Sequence, residues 1–295
     1  MTNKTSKKQF TIYMITVFVI AYAMQIAASL LVLKGVTAAF SPILAVSMFV
    51  PMFAVLISGK GLKGMGWIPK LSGKWKWYII AWLLPAVLSV LGAVLFFAFF
   101  PKSFDLTGKY LAMQMPKEAL DQLAAAGMTP MTVSVISIVQ ALTYAPFINM
   151  FFAIGEEAGW RGYMYPVLKE KFGTNKGRII GGIIWGAWHW PVIILAGYEY
   201  GTDYLGAPIA GPIAFLLVAT CMGIMLDHFY EKTECIWVPA LGHGAINAIA
   251  GVGMVFFDPA YAKYSIFGPL LVGVISVIPL LLYCVWISIR KPDKA

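Results

Sequence analysis

Apolar positions along this chain run in long unbroken blocks, at residues 10–33, 40–58, 77–100, 131–154, 178–196, 209–228, 237–257 and 265–289. Each block is close to or above the roughly 20 residues that carry a helix across a hydrocarbon core about 30 Å thick. Buried runs in a water-soluble core are shorter. The pattern predicts an all-α polytopic membrane protein with about eight spanning helices, because a helix satisfies all its backbone hydrogen bonds within the lipid.

Composition agrees with the blocks. Of the 295 residues, 60% are hydrophobic and 12% charged, about half the charge of an ordinary soluble domain. The net charge of +9 would point to nucleic acid in a soluble protein, but here the basic residues sit in the loops. Assigning the loops alternately to two sides leaves only Lys34, Lys102, Lys109, Lys117 and Lys263 on one side and the other seventeen of the 22 Lys and Arg on the opposite side. Basic residues concentrate in cytoplasmic loops, so both termini are expected in the cytoplasm, with no nucleic-acid partner. The long first block and the many blocks after it weigh against a cleaved signal peptide, despite Ala21-Tyr22-Ala23.

Between the third and fourth blocks, Pro116 followed by residues 117–123 reads as a short helix at the outer interface. Cys221, Cys235 and Cys284 show neither CxxC spacing nor a disulfide framework and read as packing residues.

Ionisable side chains inside a membrane are costly and usually face a protein-lined cavity. Three clusters stand out: Gly155-Glu156-Glu157-Ala158-Gly159-Trp160-Arg161 at the end of the fourth block, Trp185-Gly186-Ala187-Trp188-His189 in the fifth, and His243-Gly244-Ala245-Ile246-Asn247 in the seventh. On a helix, Glu157 and Arg161 share a face in the favourable acid-first order. Glu156 then points about 100° away and is left to face the bundle interior. His243 and Asn247 share a face by the same spacing, as do Trp185 and His189. Trp160, Trp185, Trp188 and Trp190 read as packing or cavity walls.

These clusters resemble the type II CAAX prenyl proteases and their bacterial relatives, the CAAX protease and bacteriocin-processing (CPBP, or abortive-infection) membrane proteins. The family pattern is E-E-x-x-x-R, an aromatic followed four residues later by His, and H-x-x-x-N. The match runs from Gln140 to Gly251; Trp185 stands where many members have Phe, and Cys235 where Ser is expected.

The resemblance implies a four-helix catalytic core at 131–257, preceded by N-terminal helices and the interfacial segment at 1–130 and followed by a last helix and tail at 258–295. It implies an intramembrane endopeptidase whose cavity is reached from the cytoplasm, with Glu156 as general base, His189 as its partner, and His243 and Asn247 stabilising the oxyanion. Glu157 and Arg161 would support them. The cofactor stays open: Glu156, His189 and His243 would make a His2Glu set for Zn2+, as in a metalloprotease, whereas the absence of HExxH and the turning of Glu157 toward Arg161 weigh toward metal-free water activation.

The expected partners are the bilayer and a membrane-associated peptide or protein, in a bacterial cell membrane. The competing readings are a non-catalytic binding or bacteriocin-immunity protein that uses the same cavity, and a proton-coupled transporter, which the lack of paired broken helices in matching halves disfavours.

Overall fold

The computed structural model describes residues 5–290; Lys4, Lys291 and Lys294 of the charge count above lie outside the described residues. The chain is helical, with no strand among the described residues beyond one isolated bridge between Phe104 and Phe257. Helix α1 (Lys7–Leu33) opens on a capping box in which Ser6 and Gln9 satisfy each other's backbone N–H. Next come α2 (Phe40–Ser47) and α3 (Val50–Ile57), bent by 42°. Pro51, in the first turn of α3, has no N–H to continue the ladder from α2.

After α4 (Trp75–Phe99), the short α5 (Lys109–Gln114) and α6 (Lys117–Ala125) lead into α7 (Pro130–Leu142), with an 88° bend between α6 and α7. Helix α8 (Ala145–Gly159) passes through a π turn at Trp160–Met164 into α9 (Tyr165–Phe172), followed by α10 (Thr174–Trp188) and α11 (Trp190–Ala196). Last are α12 (Ala210–Thr233), α13 (Trp237–Ile249) and α14 (Ile278–Ile289).

Among the described residues, five helical runs are long and apolar enough to cross a membrane, and seven if each bent pair counts as one crossing. Several predicted blocks are interrupted, the fourth and the eighth among them. The fourth block divides at Thr143-Tyr144, just ahead of Pro146 in the first turn of α8, and Trp82 Nε1 donates to the Leu142 carbonyl that the break exposes. The eighth is regular only over the 12 residues of α14, about 18 Å at 1.5 Å per residue. Gly268 and Pro269 begin the irregular stretch that replaces its first half.

The densest packing is α8 along α13 and α10 along α12. Small residues make it possible: a Cβ on Gly244 would fall 2.6 Å from the Met150 amide nitrogen, and one on Gly155 would fall 2.7 Å from the Met48 carbonyl oxygen.

Following the chain up and down the bundle gives two distinct ends. The basic end is tied by Lys169 and Arg178 to Asp227 at 2.8 and 2.7 Å, and by Lys70 to Glu234 at 2.8 Å. At the opposite end Lys109 meets Asp258 at 2.6 Å and the Leu205 amide donates to the Lys263 carbonyl at 2.9 Å.

Candidate active site

A break in one helix sets the position of His189. Pro191 cannot donate to the Ala187 carbonyl, so α10 ends and α11 begins around His189. Helix α1 takes up the freed acceptors: Tyr22 Oη donates to the Ala187 carbonyl at 2.8 Å and Gln25 Nε2 to that of Trp188 at 2.9 Å. His189 Nδ1 lies 2.9 Å from the Trp185 carbonyl. A carbonyl only accepts, so Nδ1 carries the proton and the neutral ring presents a lone pair at Nε2.

On α8 the two adjacent glutamates have separate partners. Glu157, fully buried, accepts at Oε1 from Arg161 at 2.9 Å and faces His243 Nδ1 at 2.8 Å. That contact leaves Nε2 as the ring nitrogen of His243 free to meet a ligand. The Arg161 guanidinium stacks over Trp185 and Tyr165, 4.4 and 4.9 Å from their ring centres, an arrangement that stabilises a desolvated cation.

Glu156 is buried, and its Oε2 accepts from two indoles, Trp160 Nε1 at 2.9 Å and Trp185 Nε1 at 2.7 Å. Its Oε1 has no partner among the described residues. The π turn just beyond, a feature frequent at functional sites, holds Trp160 and Arg161, and Tyr13 Oη caps the Gly159 carbonyl there at 2.9 Å.

Glu156, His189, His243 and Asn247 line one cavity of about 350 Å3, within the range of about 300–1,000 Å3 usual for ligand sites. Its wall also includes Gln25, Ser41, Tyr198 and Glu199.

Two comparisons bear on the lineage. Residues 138–249 match the family model described as type II CAAX prenyl endopeptidase Rce1-like, within two residues at each end of the stretch bounded by the motifs. The central stretch of this chain is similar to that family. It is also similar to a protein named CAAX prenyl protease 2 from Methanococcus maripaludis, 33% identical over 103 residues, a stretch that covers 34% of this chain and 37% of that protein.

Within the Rce1-like core, the structure gathers five of the motif residues, Glu156, Trp185, His189, His243 and Asn247, on the cavity wall and keeps Glu157 and Arg161 behind it. Two features were not legible in the sequence as functional. Trp160 and Trp185, read there as wall, are hydrogen-bond donors to Glu156. Glu199, which belongs to none of the sequence clusters, lies on the rim.

The cavity also differs from the expected one in direction. None of its lining residues comes from the loops of the basic end; it runs from Glu156 toward Ser41, Tyr198 and Glu199 at the opposite end. On the basic side the π turn, Tyr13 and the buried Glu157–Arg161 pair fill the space beneath Glu156. Ser41, Phe152 and Asn247 line the cavity and are also exposed, so it opens sideways between α2 and the α8–α13 pair.

Among the described residues no three His, Cys, Asp or Glu side chains are gathered as ligands for one metal ion. The His2Glu set is therefore not assembled as a zinc site in this arrangement, with Glu156 Oε2 already holding two indole donors.

Proposed function

We propose that this chain is an intramembrane endopeptidase that hydrolyses a peptide bond in a membrane-associated peptide or protein, with water activated by Glu156 and His189. The observation that carries the reading is the environment of Glu156. Both indoles fix Oε2, which leaves Oε1 for a proton to be gained and lost on the same wall as two histidines and an asparagine.

In this reaction a water is held between Glu156 Oε1 and the lone pair of His189 Nε2. Glu156 takes its proton as the oxygen bonds to the scissile carbonyl carbon. The oxyanion forms opposite His243, donating from Nε2 when its ring is protonated, and the Asn247 carboxamide; such preorganised donors act most strongly where water is excluded. Collapse breaks the carbon–nitrogen bond, and the proton on Glu156 leaves with the amine.

Glu157 and Arg161 position His243 and hold the charge of the cluster in balance. The sideways opening between α2 and the α8–α13 pair suits an apolar substrate segment arriving from the lipid. The Rce1-like family supports this activity, and the name of the archaeal relative is compatible with it.

The test is cleavage of a membrane-peptide library by purified protein and by Glu156→Gln, each with and without a chelator. The expected result is cleavage by the natural protein, unaffected by chelator, and at least a hundredfold loss in the variant. Full activity in Glu156→Gln would overturn the assignment. Loss with chelator would mean that the His2Glu residues rearrange to bind metal, and no cleavage by either protein would favour a binding or immunity role for the same cavity.

A further inference from the structure

The fixed charges of the cavity wall are one-sided. Among its lining residues are two carboxylates, Glu156 and Glu199, and no lysine or arginine. The nearest guanidinium of the site, that of Arg161, is fully buried behind the wall against Glu157. Glu156 is fixed by its two indoles, whereas Glu199 belongs to no motif and the mechanism does not use it.

Glu199 is also held in an unusual way. It lies in the segment that joins α11 to α12, with φ of +70°, a left-handed conformation that strains a residue other than glycine and persists only where its surroundings impose it. Those surroundings are visible. Gly197 and Gly201 flank it at φ of +67° and +77°, joined by a hydrogen bond of 2.7 Å from the Gly201 amide to the Gly197 carbonyl.

Tyr200 is anchored on both sides, its hydroxyl donating to the Val272 carbonyl at 2.9 Å and its carbonyl accepting from Ser265 Oγ at 2.6 Å. Tyr198 lies nearly parallel to the His189 ring, with centres 6.5 Å apart. A glycine would adopt this backbone without strain. The chain instead places a carboxylate there, next to the residue that stacks on His189.

A second observation lies on the same wall. Gln25 Oε1 is buried without a hydrogen-bond partner, and so is Trp188 Nε1. Leaving such atoms unpaired costs free energy, and both residues line the cavity, one with an acceptor to satisfy and one with a donor.

We propose that Glu199 selects substrates bearing a cationic group near the bond held at Glu156, a lysine or arginine side chain or a free N-terminal ammonium, and that the cavity disfavours a free C-terminal carboxylate. This rests on the cavity being the peptide-binding site of the function proposed above. A cation brought beside Glu199 gains an ion-pair partner in a half-enclosed space, where attraction is stronger than in bulk water. A carboxylate would meet Glu156 and Glu199 with no lysine or arginine on the wall to receive it. The preference sets this chain apart from any enzyme that must hold the carboxylate end of its substrate.

The experiment uses the full-length protein in nanodiscs and apolar fluorescent peptides capped at both ends, identical except that lysine, norleucine or glutamate occupies each central position in turn. Affinity and cleavage are both measured. At the best position the lysine peptide is expected to bind about tenfold more tightly than the norleucine peptide, and the glutamate peptide more weakly than either. Uncapping the C-terminus should weaken binding.

In Glu199→Gln the lysine advantage should fall to within about twofold of unity, with an unchanged thermal midpoint as the check on folding. Equal affinity of the natural protein for all three peptides would overturn the proposal, as would a lysine preference that survives Glu199→Gln. A lysine preference lost in Glu199→Gln, with no cleavage of any peptide, would sink the hydrolytic reading and leave this one standing.

Discussion

Glu156 owes its environment to tryptophan nitrogens rather than to a charged neighbour. Two indole donors on Oε2 stabilise the ionised carboxylate and fix its rotamer, so Trp185→Phe, which keeps the ring and removes the N–H, tests the arrangement. The expected result is a tenfold to hundredfold fall in kcat with KM little changed, because the effect lies on the proton-transfer step; an unaltered rate would mean that the indoles only pack. The i,i+4 relation of Glu157 to Arg161 could be read from sequence, since one helix turn fixes it. The bonds from Trp185 to Glu156 and between Glu157 and His243 could not, because they depend on the relative register of three helices. Glu199 carried no signal at all: a single acid in a loop acquires meaning only once the fold sets it on the cavity rim. Burial there pushes its carboxyl up from the usual range to about 7, with a hydrogen bond from Tyr198 offsetting part of the effect. Below that pH the carboxyl is increasingly neutral and above it increasingly charged. The ratio of lysine-peptide to norleucine-peptide affinity should therefore rise between pH 6 and pH 8 and stay flat in Glu199→Gln. Taking the ratio separates Glu199 from the groups around it, Tyr198, Tyr200, Glu156 and His189, whose titration affects both peptides.

Among the elements, the breaks are what make a site out of apolar helices. Hydrophobic blocks revealed where helices lie but not where they stop, because Pro51, Pro146 and Pro191 sit inside runs whose composition stays apolar throughout. Each proline ends a hydrogen-bond ladder and exposes carbonyls, and the fold answers with side chains from elsewhere: Trp82 at the end of α7, Tyr22 and Gln25 at the break between α10 and α11. Helix α1 lies outside the matched core, yet by this account it is part of what aims His189. Replacing Gln25 with leucine removes the donor to the Trp188 carbonyl and leaves a buried acceptor unpaired, at a cost of about 1–3 kcal/mol. Gln25→Leu should lower the thermal midpoint in detergent and reduce cleavage, whereas substitution of exposed, lipid-facing Ile15 on the same helix should do neither. Equal behaviour of the two variants would show that α1 merely fills the bundle.

For the whole molecule, the charge pattern and the cavity direction together predict the side on which the cavity opens. Of the nineteen described Lys and Arg, fourteen fall at the end that holds the loop at residues 58–74, where anionic lipid and the positive-inside tendency favour the cytoplasm. The cavity opens toward the other end, at Ser41 and Glu199. Both observations hold at once only if the mouth lies on the outer half of the membrane, reversing the cytoplasmic access that the family resemblance suggests. Single cysteines decide it, and the background is low because Cys221, Cys235 and Cys284 are all buried. Ser41→Cys, at the exposed rim of the cavity, should react with a membrane-impermeant maleimide added to intact cells, and a peptide that occupies the site should slow the reaction. Lys63→Cys, on the exposed loop of the basic end, should react only in inverted vesicles. The opposite labelling would place the mouth in the cytoplasm and mean that the basic loops face outward, so that the positive-inside tendency fails for this chain while the geometry of the site is untouched.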